Sequence, residues 1–188
     1  MNHQHIACAT PRAILIADAG VEDLGTLLDG LHAGVALWLV QPGEDAVGRI
    51  IQAIATPGLQ TLHLLAHGAP GRIQMGGKAI AAEDFRTRFD GAAQRDLDIA
   101  FWSCHTGAEE AGRSFVAAVA DATGARVAAA SGLVGSAHRG GCWSVGSVAA
   151  PFSVYAQGEF QGVMAISGTW DGNSSTDLVV RSINTVTK

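Results

Sequence analysis

Five short apolar runs, each separated from the next by a stretch of helical periodicity, constrain this chain more than any other feature. They are Arg12 to Asp18, Val35 to Val40, Thr61 to His67, Leu97 to Cys104 and Arg126 to Ser131. Near-continuous rather than alternating apolar residues are what a strand shows when both of its faces are buried, as in a parallel sheet. The intervening segments carry helical spacing. Val21, Leu24, Leu27, Leu28 and Leu31 share one helix face, and Val47, Ile50, Ile51 and Ile54 share another. These helices are predicted over 21–31 and 44–56, with a third over 82–94 and a fourth from Thr106 to Thr123. Strand and helix in strict alternation predict an α/β fold, a three-layer α-β-α sandwich around a mostly parallel sheet.

Local signals refine the order. Gly76-Gly77 between two short runs predicts a hairpin inside 71–80. Thr106-x-x-Glu109 fits a capping box, and Gly124 a C-terminal helix stop. A further strand is expected over 142–148, after the glycine-rich turn 138–141, making about six in the sheet. The 188 residues, 48% of them hydrophobic and 15% charged, suffice for one domain with a sizeable core. Only 6% are aromatic, which favours close-packed helices on a sheet over a β-sandwich. The expected division is a domain over 1–150 and a C-terminal extension or linker over 151–188, rich in polar loops.

Charge and composition exclude several classes. A net charge of −5 with no basic cluster makes nucleic acid an unsuitable partner. The apolar runs fall short of the roughly 18 residues of a spanning helix, so no membrane insertion is expected. The N-terminus lacks a cationic n-region and a long apolar h-region, so no cleavable signal peptide is read. This fits a cytoplasmic protein or a segment of a longer exported one. Three cysteines, Cys8, Cys104 and Cys142, are an odd count without metal-type spacing. No cofactor and no metal are expected. A zinc site from His67, Cys104 and His105 lacks the usual ligand spacing. Asp171-x-Asn173-x-Ser175-x-Asp177 lacks the central Gly and terminal Glu of a calcium loop and reads as a polar turn.

Ligands of open parallel sheets bind beyond the carboxyl ends of the strands. Two runs end there in reactive side chains, one in His67-Gly68 and the other in Ser103-Cys104. A thiol before a helix N-terminus meets positive potential that favours thiolate, and a nearby histidine can move its proton. The pair is a candidate dyad for nucleophilic catalysis. The plainer reading stands beside it: a cysteine ending a strand is often a small buried hydrophobe, and a strand-end histidine an ordinary satisfied polar group. His63, set between leucines inside its strand, reads as structural, His105 as a bystander and Cys142 as packed.

The text around both strand ends resembles known families. An apolar strand ending in His-Gly followed by one ending in Ser-Cys resembles the caspase-hemoglobinase class of cysteine peptidases, clan CD. His67 to Gly76, Asp98 to Cys104, Ala111 to Phe115, Thr123 to Ser131 and Gly140 to Trp143 resemble the DUF4347 family, a bacterial domain found near the N-terminus of very large repeat-rich surface or secreted proteins. The resemblance covers about 13–148. It implies a caspase-hemoglobinase-like fold and a cysteine endopeptidase acting on a polypeptide, including its own parent chain. Cys104 would be the nucleophile and His67 the general acid/base, with the backbone amides of Gly68 and Cys104 as oxyanion hole. Asp18, Ser131, Gly132 and Trp143 would line the substrate pocket. The chain departs from the family where Ser103-Cys104-His105 replaces Gly-Cys-Asn/Asp, and where Cys142 replaces an acidic residue. A non-catalytic sorting or interaction module with an idle dyad is the alternative.

Overall fold

A computed structural model of the chain describes residues 10–89 and 96–166. Five strands, β1 (Ala13–Asp18), β2 (Val35–Val40), β3 (Thr61–Leu65), β7 (Asp98–Trp102) and β8 (Arg126–Ala129), form one parallel sheet in the order β2-β1-β3-β7-β8. A second, antiparallel sheet stands beside it: β4 (His67–Ala69), β5 (Arg72–Met75) and β6 (Lys78–Ala81). Gly76 and Gly77, both at positive φ (63° and 79°), make the β5–β6 turn, which a residue with a side chain adopts only under strain.

The alternation of side chains along each strand divides the core in two. Ile14, Ile16, Leu62, Leu64, Ile99 and Phe101 face one way. They are covered by α2 (Ala46–Ile54), α3 (Ala82–Arg88) and α4 (Glu109–Thr123), which bring Ile50, Phe85, Phe115 and Val119. Phe101 and Phe115 meet edge-on with ring centroids 5.1 Å apart, a favoured aromatic geometry. Leu15, Ala17, Ala100 and Trp102 face the other way. There they meet Leu27 of α1 (Leu24–Asp29) and Ala156 of α5 (Val154–Glu159), together with Phe152, Phe160 and Met164. The architecture is a mixed α/β sandwich with a mostly parallel five-stranded sheet.

Several expectations are corrected. The anticipated strand over 142–148 is not a sixth member of the sheet. Gly146 turns back at φ 56°, and only isolated bridges, Val134 to Cys142 and Val145 to Val148, form there. The first helix is shorter than its periodicity suggested, because Asp23 adopts a left-handed conformation (φ 55°) just before it. The packed unit also runs past residue 150, since Phe152, Phe160 and Met164 are fully buried in the second half of the core. Cys142 is exposed rather than packed. Cys8, the 171–177 motif and the basic residues Arg181 and Lys188 lie outside the described residues, as does the expected end of the third helix beyond 89.

Candidate functional site

Adjacent parallel strands bring the two suspected side chains to one sheet edge. The β3–β7 register ends with Leu65 opposite Trp102, and the chain continues from there to His67 and Cys104. Gly68 packs directly on the neighbouring strand end. A Cβ at this position would lie 2.3 Å from Thr106 Oγ1, 2.7 Å from Cys104 O and 2.8 Å from Ser103 Cβ. Glycine is required here by close approach of backbone, not by its φ.

His67 pairs with Gln74 across β4–β5 and borders a cleft of about 630 Å3 shared with Asp18, Gln74, Arg139, Val163 and Ile166. Its Nδ1 is buried without a hydrogen-bond partner among the described residues. Cys104 is wholly buried and does not border that cleft. Its Sγ meets both backbone polar groups of Val134: the N–H donates to it at 3.2 Å, and the thiol donates to the carbonyl O at 3.5 Å. No hydrogen bond joins the thiol to His67. Burial pushes the Cys104 thiol up to about 11, although the backbone hydrogen bonds work in the opposite direction.

The helix after this thiol begins later than its sequence suggested. Helix α4 begins at Glu109 with Ala108 as its N-cap and no side-chain cap. Thr106 is not the cap of a capping box. Its hydroxyl is held 2.6 Å from Ser103 Oγ, in a buried pair beneath Gly68. Local spacing suggested the cap, and an equally local partner three residues earlier captured the hydroxyl instead.

Two backbone amides beside the thiol share one acceptor. Gly68 N–H and Cys104 N–H both donate to one oxygen, the carbonyl of Met164, at 2.8 and 2.9 Å. Two donors at this range around a single carbonyl are the arrangement that stabilises negative charge developing on its oxygen. The Met164 N–H donates to Val134 O at 2.9 Å, and Ser136 N–H donates to Gly162 O at 2.8 Å. Bridges from Val163 to Gly135 and from Ala165 to Gly68 complete an extended segment over 162–166. Val134, Ser136 and Met164 were not anticipated as site residues. Their sequence signal is only a short apolar run without distinctive spacing.

The four expected pocket residues scatter. Asp18 borders the cleft, and its carboxylate accepts from Gly20 N and Gly76 N, each at 3.3 Å, tying two loops together. Ser131 and Gly132 are exposed and hold His105 through their carbonyls, which receive its Nδ1 (3.3 Å) and backbone N–H (2.9 Å). Trp143 lies on the second core face, where it packs edge-on against Phe152 and Phe160. His105 is buried at a left-handed φ of 56°. His63 is structural: its Nδ1 accepts from Trp102 Nε1 at 3.1 Å, and burial lowers it to about 4.

No curated protein and no solved structure matches the chain. A family model described as "Domain of unknown function (DUF4347)" matches residues 14–164. That match spans the sheet, the helices on both faces and the strand ends at His67 and Cys104, and the chain belongs to the DUF4347 family.

Proposed function

We propose that the chain is a cysteine endopeptidase of caspase-hemoglobinase type, with Cys104 as nucleophile and His67 as general acid/base. The observation that carries this reading is the convergence of Gly68 N–H and Cys104 N–H on one carbonyl oxygen beside a buried thiol. Acyl transfer needs a nucleophile and an anion cradle side by side, and here one backbone position, Cys104, belongs to both. In the arrangement described the thiol is at rest. With its proton affinity raised to about 11, it is protonated at neutral pH and engaged with Val134. Reaction therefore requires His67, two residues beyond the neighbouring strand, to take the proton as sulfur attacks. His67 then returns that proton to the leaving amine.

The purified 188-residue chain, incubated with a peptide library and read by mass spectrometry, tests this. New termini, in the library or in the chain itself, are expected with wild type and absent with Cys104→Ala and with His67→Ala. Their absence from wild type sinks the peptidase reading. One observation favours the alternative of a non-catalytic sorting or interaction module of a larger bacterial surface protein: both amides of the cradle are already occupied and the thiol is raised. A fully folded chain with no Cys104-dependent cleavage is the result that module predicts.

A further inference from the structure

We propose that residues Gly162 to Ile166 are a substrate of this same site, held in place for cutting, and that the scissile bond is Met164–Ala165. The proposal rests on the peptidase reading and names its first substrate. A peptide bond about to be cleaved must present its carbonyl oxygen to the anion cradle, its carbon to the nucleophile and its nitrogen to a proton donor. Among the described residues one carbonyl meets the Gly68 and Cys104 amides, that of Met164. Val134 O accepts from both Met164 N–H (2.9 Å) and the Cys104 thiol (3.5 Å), so the sulfur and the amide of the residue whose carbonyl fills the cradle flank one atom. Ala165 and Ile166, on the leaving side, border the cleft that His67 also borders.

The segment is held as a substrate strand is held, through its backbone. Gly162 O, Met164 N, Met164 O and Ile166 N are all engaged, with Ile166 N–H reaching Gly68 O at 3.3 Å. Such main-chain pairing is the usual way an extended peptide is captured at a sheet edge. The Met164 side chain is fully buried in the cluster that holds Leu65, Trp102, Val134 and Phe160. The site therefore selects a long apolar side chain before the cut. Asp18, with its carboxylate committed to two loops, is not the specificity determinant.

The step balances with one water. The thiol proton passes to His67 as sulfur bonds to the Met164 carbonyl carbon. The C–N bond to Ala165 breaks, and His67 protonates the departing Ala165 amine. Water then hydrolyses the thioester, leaving a Met164 carboxylate and restoring the thiol.

The test uses the whole chain, incubated with the peptide library over a tenfold range of protein concentration in water enriched in oxygen-18. The expected result is a fragment ending at Met164 and one beginning at Ala165. The rate should be independent of concentration, one heavy oxygen should appear on the Met164 carboxyl, and no fragments should form with Cys104→Ala or Cys104→Ser. An intact chain beside a cleaved library overturns the assignment and leaves the peptidase reading standing. Cutting at a different bond of the chain overturns it likewise. An intact chain and an intact library overturn both.

Discussion

The two faces of the central sheet are built differently, and the difference locates the candidate site. The face under α2, α3 and α4 is closed by regular helices and lined by side chains such as Ile50, Phe85, Phe101 and Phe115. The opposite face is closed by two short helices and by irregular chain from 130 onward. It takes in His63, Cys104 and Trp143 among its apolar residues. Regular packing supplies stability, while irregular backbone leaves amides and carbonyls free to meet something other than a neighbouring strand. The helical face is the scaffold, and the irregular face carries the Val134–Met164–Cys104 network.

The largest effect that would sharpen this contrast is on the helical face. Phe115→Ala is expected to cost about 3–5 kcal/mol through lost burial and cavity formation, measured by urea unfolding. Met164→Ala on the other face is expected to cost about 2–5 kcal/mol and to uncover the thiol as well. Compared at equal stability, set with urea, Met164→Ala should label faster at Cys104 with a small electrophile than Phe115→Ala. Equal rates would erase the distinction between the faces.

His63 gives a pH signature confined to the irregular face. Burial lowers it from 6.5 to about 4, so the unfolded chain binds the proton more readily than the folded one. Its contribution is full above about pH 6.5 and is lost as pH falls toward 4. The loss is roughly 3 kcal/mol at most, from about 1.4 kcal/mol per pH unit. Replacing His63 by Phe should flatten the stability profile between pH 7 and pH 4; an unchanged slope would assign the acid sensitivity elsewhere. The smallest effect lies at the rim of the helical face. Asp45 caps α2 by accepting from Gly48 N–H (3.1 Å) and meets Arg88 at 2.6 Å. Asp45→Ala should cost about 1 kcal/mol through the lost cap, and Asp45→Asn less, by thermal melting. Equal losses would mean that the exposed ion pair outweighs the cap.

What was legible in the sequence follows the same division. β1, β3 and β7 stand out as near-continuous apolar runs because helices or loops bury them on both sides. The Gly76-Gly77 hairpin stands out because few other residue pairs adopt two positive φ angles. The placement of His67 and Cys104 at neighbouring strand ends was legible for the same reason. The setting of the thiol was not. Thr106-x-x-Glu109 has the local spacing of a cap, yet its hydroxyl is held by Ser103, three residues on the other side, and spacing alone does not decide between two local partners. The Met164 segment escaped notice because a single short strand, paired through backbone to residues about 30 and 96 positions earlier, leaves no periodicity to read.

That separation along the chain has a consequence for timing. The cradle amides belong to Gly68 and Cys104, but the carbonyl they share arrives only with Met164. During synthesis the sheet strands β1 to β8 are all made before the segment that covers the thiol, and contacts of such long sequence separation are late and slow to form. The pairing of both amides is therefore completed only by the last described stretch of the domain. Until residue 164 has been made, the carbonyl that the two amides share does not exist, whatever the state of the sheet.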